Sequence, residues 1–182
     1  MRTLAEHILD IVQNSVRAKA TLIEIIVEES KKNNLCVLTI NDNGCGMDAE
    51  MLKQATNPFF TSRTTRKVGL GIPLLKQNAE AAGGTFSLES EIGKGTKICA
   101  GFQLTNVDRQ PLGDICEALY LLFFSYRKTE LVYCHKTDKG EFRISTSELN
   151  EALGDVSWQQ KEIRNGIIDL IKTNLEELEV TR

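Results

Sequence analysis

The stretch Leu35-Cys36-Val37-Leu38-Thr39-Ile40-Asn41-Asp42-Asn43-Gly44-Cys45-Gly46-Met47 decides how this chain is read. Its opening residues alternate as a strand does, so Leu38, Ile40 and Asp42 share one face, and the two aliphatic side chains mark that face as the buried one. Burying an unpaired charge costs on the order of several kcal/mol, so an inward carboxylate needs a partner. The turn that follows carries two glycines separated by one residue. It predicts a pocket beside Asp42 in which a ligand donor completes the carboxylate.

Outward from this segment the pattern alternates between the two regular periods. Helix is expected at about 2–18, strands at 21–29 and 35–42, and a short helix after Met47-Asp48. A loop over 55–68 leads to a helix over 71–82 and strands at 85–91 and 96–104, with Gly83-Gly84 as the helix stop and Gly93-Lys94-Gly95 as a hairpin turn. A polar connection at Asn106-Val107-Asp108-Arg109-Gln110-Pro111 marks a boundary between residues 1–105 and 106–182. Beyond it a helix at about 112–125, a hairpin of 130–136 and 140–146, and helices near 146–153 and 158–178 are expected. In the last helix Ile163, Ile167, Leu170 and Leu175 form a stripe that suits a core, a dimer or a partner face.

On the first helix, at about 100° per residue, Leu4, Ile8, Leu9, Ile11, Val12 and Val16 occupy one half, and Thr3, His7, Asp10, Gln13, Asn14 and Arg17 the other. Asp10 and Asn14 sit one above the other, roughly 6 Å apart along the axis. An amide oxygen at Asn14 suits magnesium, and Asp10 is then placed to accept a proton from a water beside the ion. A solvated polar face is the alternative.

The bulk composition narrows the classes. With 182 residues, 41% hydrophobic and a formal net charge of −3, the chain can bury a sizeable core, and its scattered Lys and Arg give no footprint for nucleic acid or an anionic membrane. No signal-peptide core and no apolar run of about 20 residues are present, so a cytoplasmic protein is expected. Five cysteines without a Cys-x-x-Cys pair and two histidines read as reduced thiols rather than a zinc or iron–sulfur site, with Cys45 expected near the pocket.

His7-Ile8-Leu9-Asp10-Ile11-Val12-Gln13-Asn14-Ser15, Asp42-Asn43-Gly44-Cys45-Gly46-Met47, Pro58-Phe59-Phe60-Thr61-Ser62, Gly69-Leu70-Gly71-Ile72 and Gly93-Lys94-Gly95-Thr96 follow one another in order. Together they resemble the ATP-binding fold shared by DNA gyrase, ninety-kilodalton heat-shock chaperones, histidine kinases and mismatch-repair ATPases, over about residues 1–105. The resemblance implies an α/β (α+β) two-layer sandwich, a mixed sheet covered on one face by helices, here with an added C-terminal helix–hairpin–helix region. It implies ATP and Mg2+ as cofactors. Asn14 would hold the metal, Asp10 would be the water-activating base, and Asp42 would accept the adenine amino group while Gly44, Gly46 and Met47 line the base.

The same resemblance makes Phe60 and Thr61 part of a lid hinge, with Arg63, Arg66 or Lys67 meeting the γ-phosphate. Gly69, Leu70 and Gly71 then lead into a helix whose free N–H groups suit an anion. Thr96 would close the adenine end, although a plain β-turn explains that box equally well. Two departures stand out. The base is Asp rather than Glu, one methylene shorter, which predicts slow hydrolysis; and Lys67 replaces a usual glycine two residues ahead of Gly69. Neither Gly-x-x-x-x-Gly-Lys-Ser/Thr nor a third glycine after Gly69-x-Gly71 occurs.

The function expected from this reading is a magnesium-dependent protein kinase acting in trans or a slow ATPase with a signalling role. The alternative is a nucleotide-gated interaction module, an anti-sigma-like switch with little turnover. The histidine-bearing hairpin of a sensor kinase is expected to be missing ahead of the first motif. The tail resembles that of small stand-alone bacterial ATP-binding proteins found beside iron-only hydrogenase subunits. A protein partner or substrate and a possible homodimer are expected; nucleic acid and membrane are not.

Overall fold

The computed structural model describes residues 1–57, 70–154, 158 and 160–181. The first half runs α1 (Leu4–Arg17), β1 (Leu22–Ser30), β2 (Leu35–Asp42), α2 (Ala49–Ala55), α3 (Gly71–Ala81), β3 (Phe86–Glu91) and β4 (Gly95–Gln103). The second half adds α4 (Ile115–Ser125), β5 (Glu130–Thr137), β6 (Gly140–Ser145), α5 (Thr146–Leu153) and α6 (Lys161–Glu177). Among the described residues six strands form one mixed sheet in the order β3-β4-β2-β1-β5-β6. Every neighbouring pair is antiparallel except β1 and β5, which run parallel. This is the α/β sandwich that the family resemblance implied.

Strand alternation sets the two sides of the sheet. Ile23, Ile25 and Val27 on β1 and Cys36, Leu38 and Ile40 on β2 are buried beneath the helices, in one core with Ile8, Leu75, Leu119 and Ile171. Their neighbours in sequence stay half-buried or exposed. Each fully buried aliphatic side chain contributes roughly 2 kcal/mol of transfer free energy, so this face specifies the register. α1 packs on α3 and α4, and α4 on α6. The stripe on α6 is therefore a core stripe at Ile167, Ile171 and Leu175, while Leu170 faces outward at 48% exposure.

Element limits differ from the sequence expectation where side chains compete with the helix. α4 begins at Ile115 rather than near 112 because Asp114 caps it, accepting from the Glu117 amide at 3.0 Å. The residues before it are used elsewhere: the carbonyls of Pro111 and Leu112 accept from the Leu4 and Ala5 amides at 3.0 and 2.9 Å, closing the amino end of α1. α6 begins at Lys161, not 158, and Trp158 is instead a core side chain whose carbonyl accepts from the Tyr120 hydroxyl.

One half of α1 departs from the expected polar face. His7 is fully buried, its Nε2 3.0 Å from Gln110 Oε1 and 3.1 Å from Asn78 Nδ2, donating to the first or accepting from the second according to its tautomer, because α3 and the connection after β4 cover that side. Burial lowers its pKa, against the Gln110 hydrogen bond that raises it.

Candidate functional site

A cavity of about 570 Å³ opens between the carboxyl half of α1, the ends of β2 and β4, and α2. α1 contributes Ile11, Asn14, Ser15 and Arg17, with Ala18 and Lys19 beyond its end; β2 contributes Ile40 and Asp42, and β4 Thr96 and Ile98. Cys45, Gly46, Met47 and Met51 close the side, and Ile72 of α3 the far end. The walls are mostly apolar, with a few convergent polar groups, as a cleft for a planar heteroaromatic ligand requires.

Asp42 lies at the bottom, 9% exposed. Its Oδ2 accepts from the Ser15 hydroxyl at 2.6 Å and its Oδ1 from the Gly44 amide at 2.8 Å. The inward carboxylate thus has two donors within the chain, where the sequence pattern pointed to a ligand alone. Each bond to a charged acceptor is worth about 1.5–3 kcal/mol, so the pair offsets much of the cost of burial. A carboxylate has about four acceptor positions, which leaves two for a ligand.

Ser15 was legible in principle. It sits four residues after Ile11 and seven after Ile8, on the apolar face of α1, and a hydroxyl on a buried face needs a partner. Opposite Asp42 in the β2–β4 register stands Thr96. Its hydroxyl lies 2.8 Å from that of Ser90, which also accepts from the Met47 amide at 2.9 Å and donates to the Gly95 carbonyl. Ser90, which the sequence reading passed over, ties the β3–β4 turn to the floor of the cavity.

Gly46 shows why this turn is glycine-bearing. Its φ is +67°, and a Cβ there would run into the backbone carbonyl of Glu91. The close approach is made by the protein's own hairpin, which fixes the shape of the pocket before any ligand enters. Asn43, in the middle of the same motif, faces away: its Oδ1 accepts from the Thr21 and Leu22 amides at 2.8 and 2.9 Å and fixes the α1–β1 corner.

Of the residues singled out in sequence, Asn14, Asp42, Gly46, Met47 and Thr96 line the cavity, as does Cys45. Gly44 reaches it only through the amide that holds Asp42. Asp10 is not a lining residue; its Oδ2 accepts from Asn14 Nδ2 at 3.3 Å and lies against Gly71, where a Cβ would displace it. Among the described residues the Gly71 and Ile72 amides in the first turn of α3 have no acceptor, and Pro73 offers no N–H; Leu70 before them is 51% exposed. Phe60, Thr61, Arg63, Arg66, Lys67 and Gly69, with the rest of the expected lid, lie outside the described residues.

A magnesium ion fits the donor set in a limited way. Among the described residues no three His, Cys, Asp or Glu side chains come together as a metal cage. Asn14 offers one amide oxygen, held only by a long 3.4 Å contact from Arg17. An ion there would take most of its ligands from phosphates and water, which is how magnesium commonly binds.

Residues 2–106 match the family described as "Histidine kinase-, DNA gyrase B-, and HSP90-like ATPase". The chain belongs to this family. A sensor protein of Shewanella frigidimarina is 37% identical over 107 residues, 58% of this chain and 16% of that protein. Sporulation kinase C of Bacillus subtilis is 29% identical over 93 residues, 51% of this chain and 22% of the kinase. The chain thus spans about a fifth or less of the length of these curated relatives. Among solved structures, the ADP-bound ATPase domain of Aquifex aeolicus MutL overlays with a TM-score of 0.48 at 15% identity, over 93% of this chain and 70% of that one. The domain is therefore an ATP-binding, histidine-kinase-like ATPase domain, of a family that binds ATP, typically with Mg2+. None of the described helices is long and apolar enough to cross a membrane.

Proposed function

We propose that the cavity binds ATP with magnesium and that the protein is a kinase acting in trans on another protein, with slow hydrolysis as a side reaction. The observation that carries this reading is that Asp42 and Asn14, from a strand end and a helix middle, line one cavity. Asp42 accepts the adenine amino group on the lone pairs that Ser15 and Gly44 leave free, and Thr96 flanks the same edge. Asn14 would supply the protein's oxygen to Mg2+, and the ion when bound would supply charge neutralisation to the phosphates. The free amides of Gly71 and Ile72 face the terminal phosphate, and Asp10 beside them is the candidate base. The names of the sensor protein and of Sporulation kinase C support a signalling kinase.

One observation favours a second reading. Asp10 lies against Gly71 outside the cavity lining, a poor posture for polarising water, and this suits a nucleotide-gated switch with little turnover in which residues 106–182 form the partner-holding extension. Incubation with γ-labelled ATP and magnesium separates the two. Label on a partner protein supports the kinase, released phosphate the ATPase, and tight binding with neither the switch. The Asp42→Asn variant is expected to lose ATP affinity at least tenfold while keeping its fold by circular dichroism; unchanged affinity discards the site assignment.

A further inference from the structure

We propose that Lys19 is a phosphate-binding residue of the cavity, one that holds the part of the nucleotide nearest the sugar and so acts alike on ADP and ATP. This rests on the reading of the cavity as an adenine-nucleotide site. α1 ends in a motif in which the Ala20 amide donates to the Ser15 carbonyl at 3.1 Å and the Lys19 amide to Val16 at 2.9 Å. That motif needs left-handed backbone at its penultimate position, and Lys19 has φ +61°. Glycine is the residue such a position favours, and any side chain there is strained.

Two other helices end this way: α3 places Gly83 at the left-handed position, with φ +68°, and α6 places a charged side chain there. After α6, Glu179 has φ +53°, its amide donates to Glu176 and that of Val180 to Leu175, and its carboxylate pairs with Lys31 at 3.8 Å and Lys139 at 3.3 Å. The Lys19 ammonium makes no hydrogen bond or ion pair among the described residues. Lys19 is exposed and is one of the residues that line the cavity, as is Arg17. Among the described residues the charges lining the cavity are thus two cations and one carboxylate, and that carboxylate already holds Ser15 and Gly44. The missing counterpart of Lys19 is an anion within the cavity.

Position sets which part of the ligand it meets. Lys19 stands at the corner between α1 and β1, where the Cys45 amide donates to the Ala18 carbonyl at 2.9 Å and Asn43 clamps Thr21 and Leu22. This corner adjoins the Asp42 end of the cavity and is remote along α1 from Asp10 and the amino end of α3. The ammonium therefore reaches phosphates next to the ribose before the terminal one, and it is carried on fixed backbone.

Two variants test this: Lys19→Met keeps much of the stem without charge, and Lys19→Gly also relieves the backbone. Calorimetry with magnesium should show both losing about two- to fivefold in affinity for ADP and for ATP alike, with adenosine unchanged by competition. Lys19→Gly should in addition melt about 2 °C higher, which excludes damage to the fold as the cause. Unchanged ADP affinity in both variants, or an equal loss for adenosine, overturns the role of Lys19. A wild-type protein that ignores ADP and ATP overturns the nucleotide reading itself.

Discussion

Ser15 and Asp42 form the pair on which the pocket turns. Replacing Ser15 by Ala leaves one oxygen of a buried carboxylate without its 2.6 Å donor, so the carboxylate either gains a water or turns toward another donor. Ser15→Ala is expected to destabilise the fold by about 1–2 kcal/mol and to weaken ATP binding by less than the Asp42→Asn change does, as chemical denaturation and calorimetry on the same samples would show. Two other buried groups write pH dependence into the fold. Burial lowers the pKa of His7 below its usual 6.5, so the neutral form is the one the folded state favours. Burial alone would raise the Glu29 carboxyl, but hydrogen bonds from His135 Nε2 at 3.3 Å and the Thr181 amide at 2.9 Å prevail and hold it below 4.5. Both groups are depressed relative to the unfolded chain. Their stabilisation is complete above those values and is lost as pH falls, first below 6.5 for His7 and then below 4.5 for Glu29. Urea midpoints measured from pH 8 to pH 3 should show two such steps, with His7→Gln removing the upper one.

Among the elements, the hairpin of β3 and β4 does more than cover an edge. Its turn meets the backbone at Gly46, and Ser90 ties it to Met47, so the two loops form one rigid wall. Gly46→Ala places a Cβ on the Glu91 carbonyl at a residue of positive φ, a change expected to cost about 2–3 kcal/mol and to lower the melting temperature by roughly 5–10 °C. A melting temperature within a degree of wild type would show that the hairpin yields. α1 carries the opposite lesson. Its apolar half was plain from spacing, but a helical wheel shows which side chains share a face and not what lies over them. His7 looked polar and outward until α3 and the 106–112 connection were seen to cover it.

For the molecule as a whole, the sheet does not stop at the end of the family match. β5 lies parallel to β1 from Leu22↔Glu130 to Glu28↔Lys136, and the Pro111 and Leu112 carbonyls cap α1. A fragment ending at residue 105 would expose that strand edge, uncover the α4 side of α1 and leave its first amides unbonded. It is expected to be unfolded or aggregated in sedimentation and circular dichroism; a soluble, cooperative fragment would show the second half to be dispensable. Periodicity along the chain determined nearly every helix and strand, because 3.6- and 2-residue repeats are local and the apolar residues keep them. It also put Asp42 on an inward face, and the ordered motifs around it implied the ATP-binding fold. Only the tertiary structure decided that Ser15 holds that carboxylate, that His7 is buried, and that a parallel crossover sets β5 beside β1. Each of these joins residues distant in sequence, and periodicity, which can turn Ser15 or Asp42 inward, does not say which distant residue closes on it.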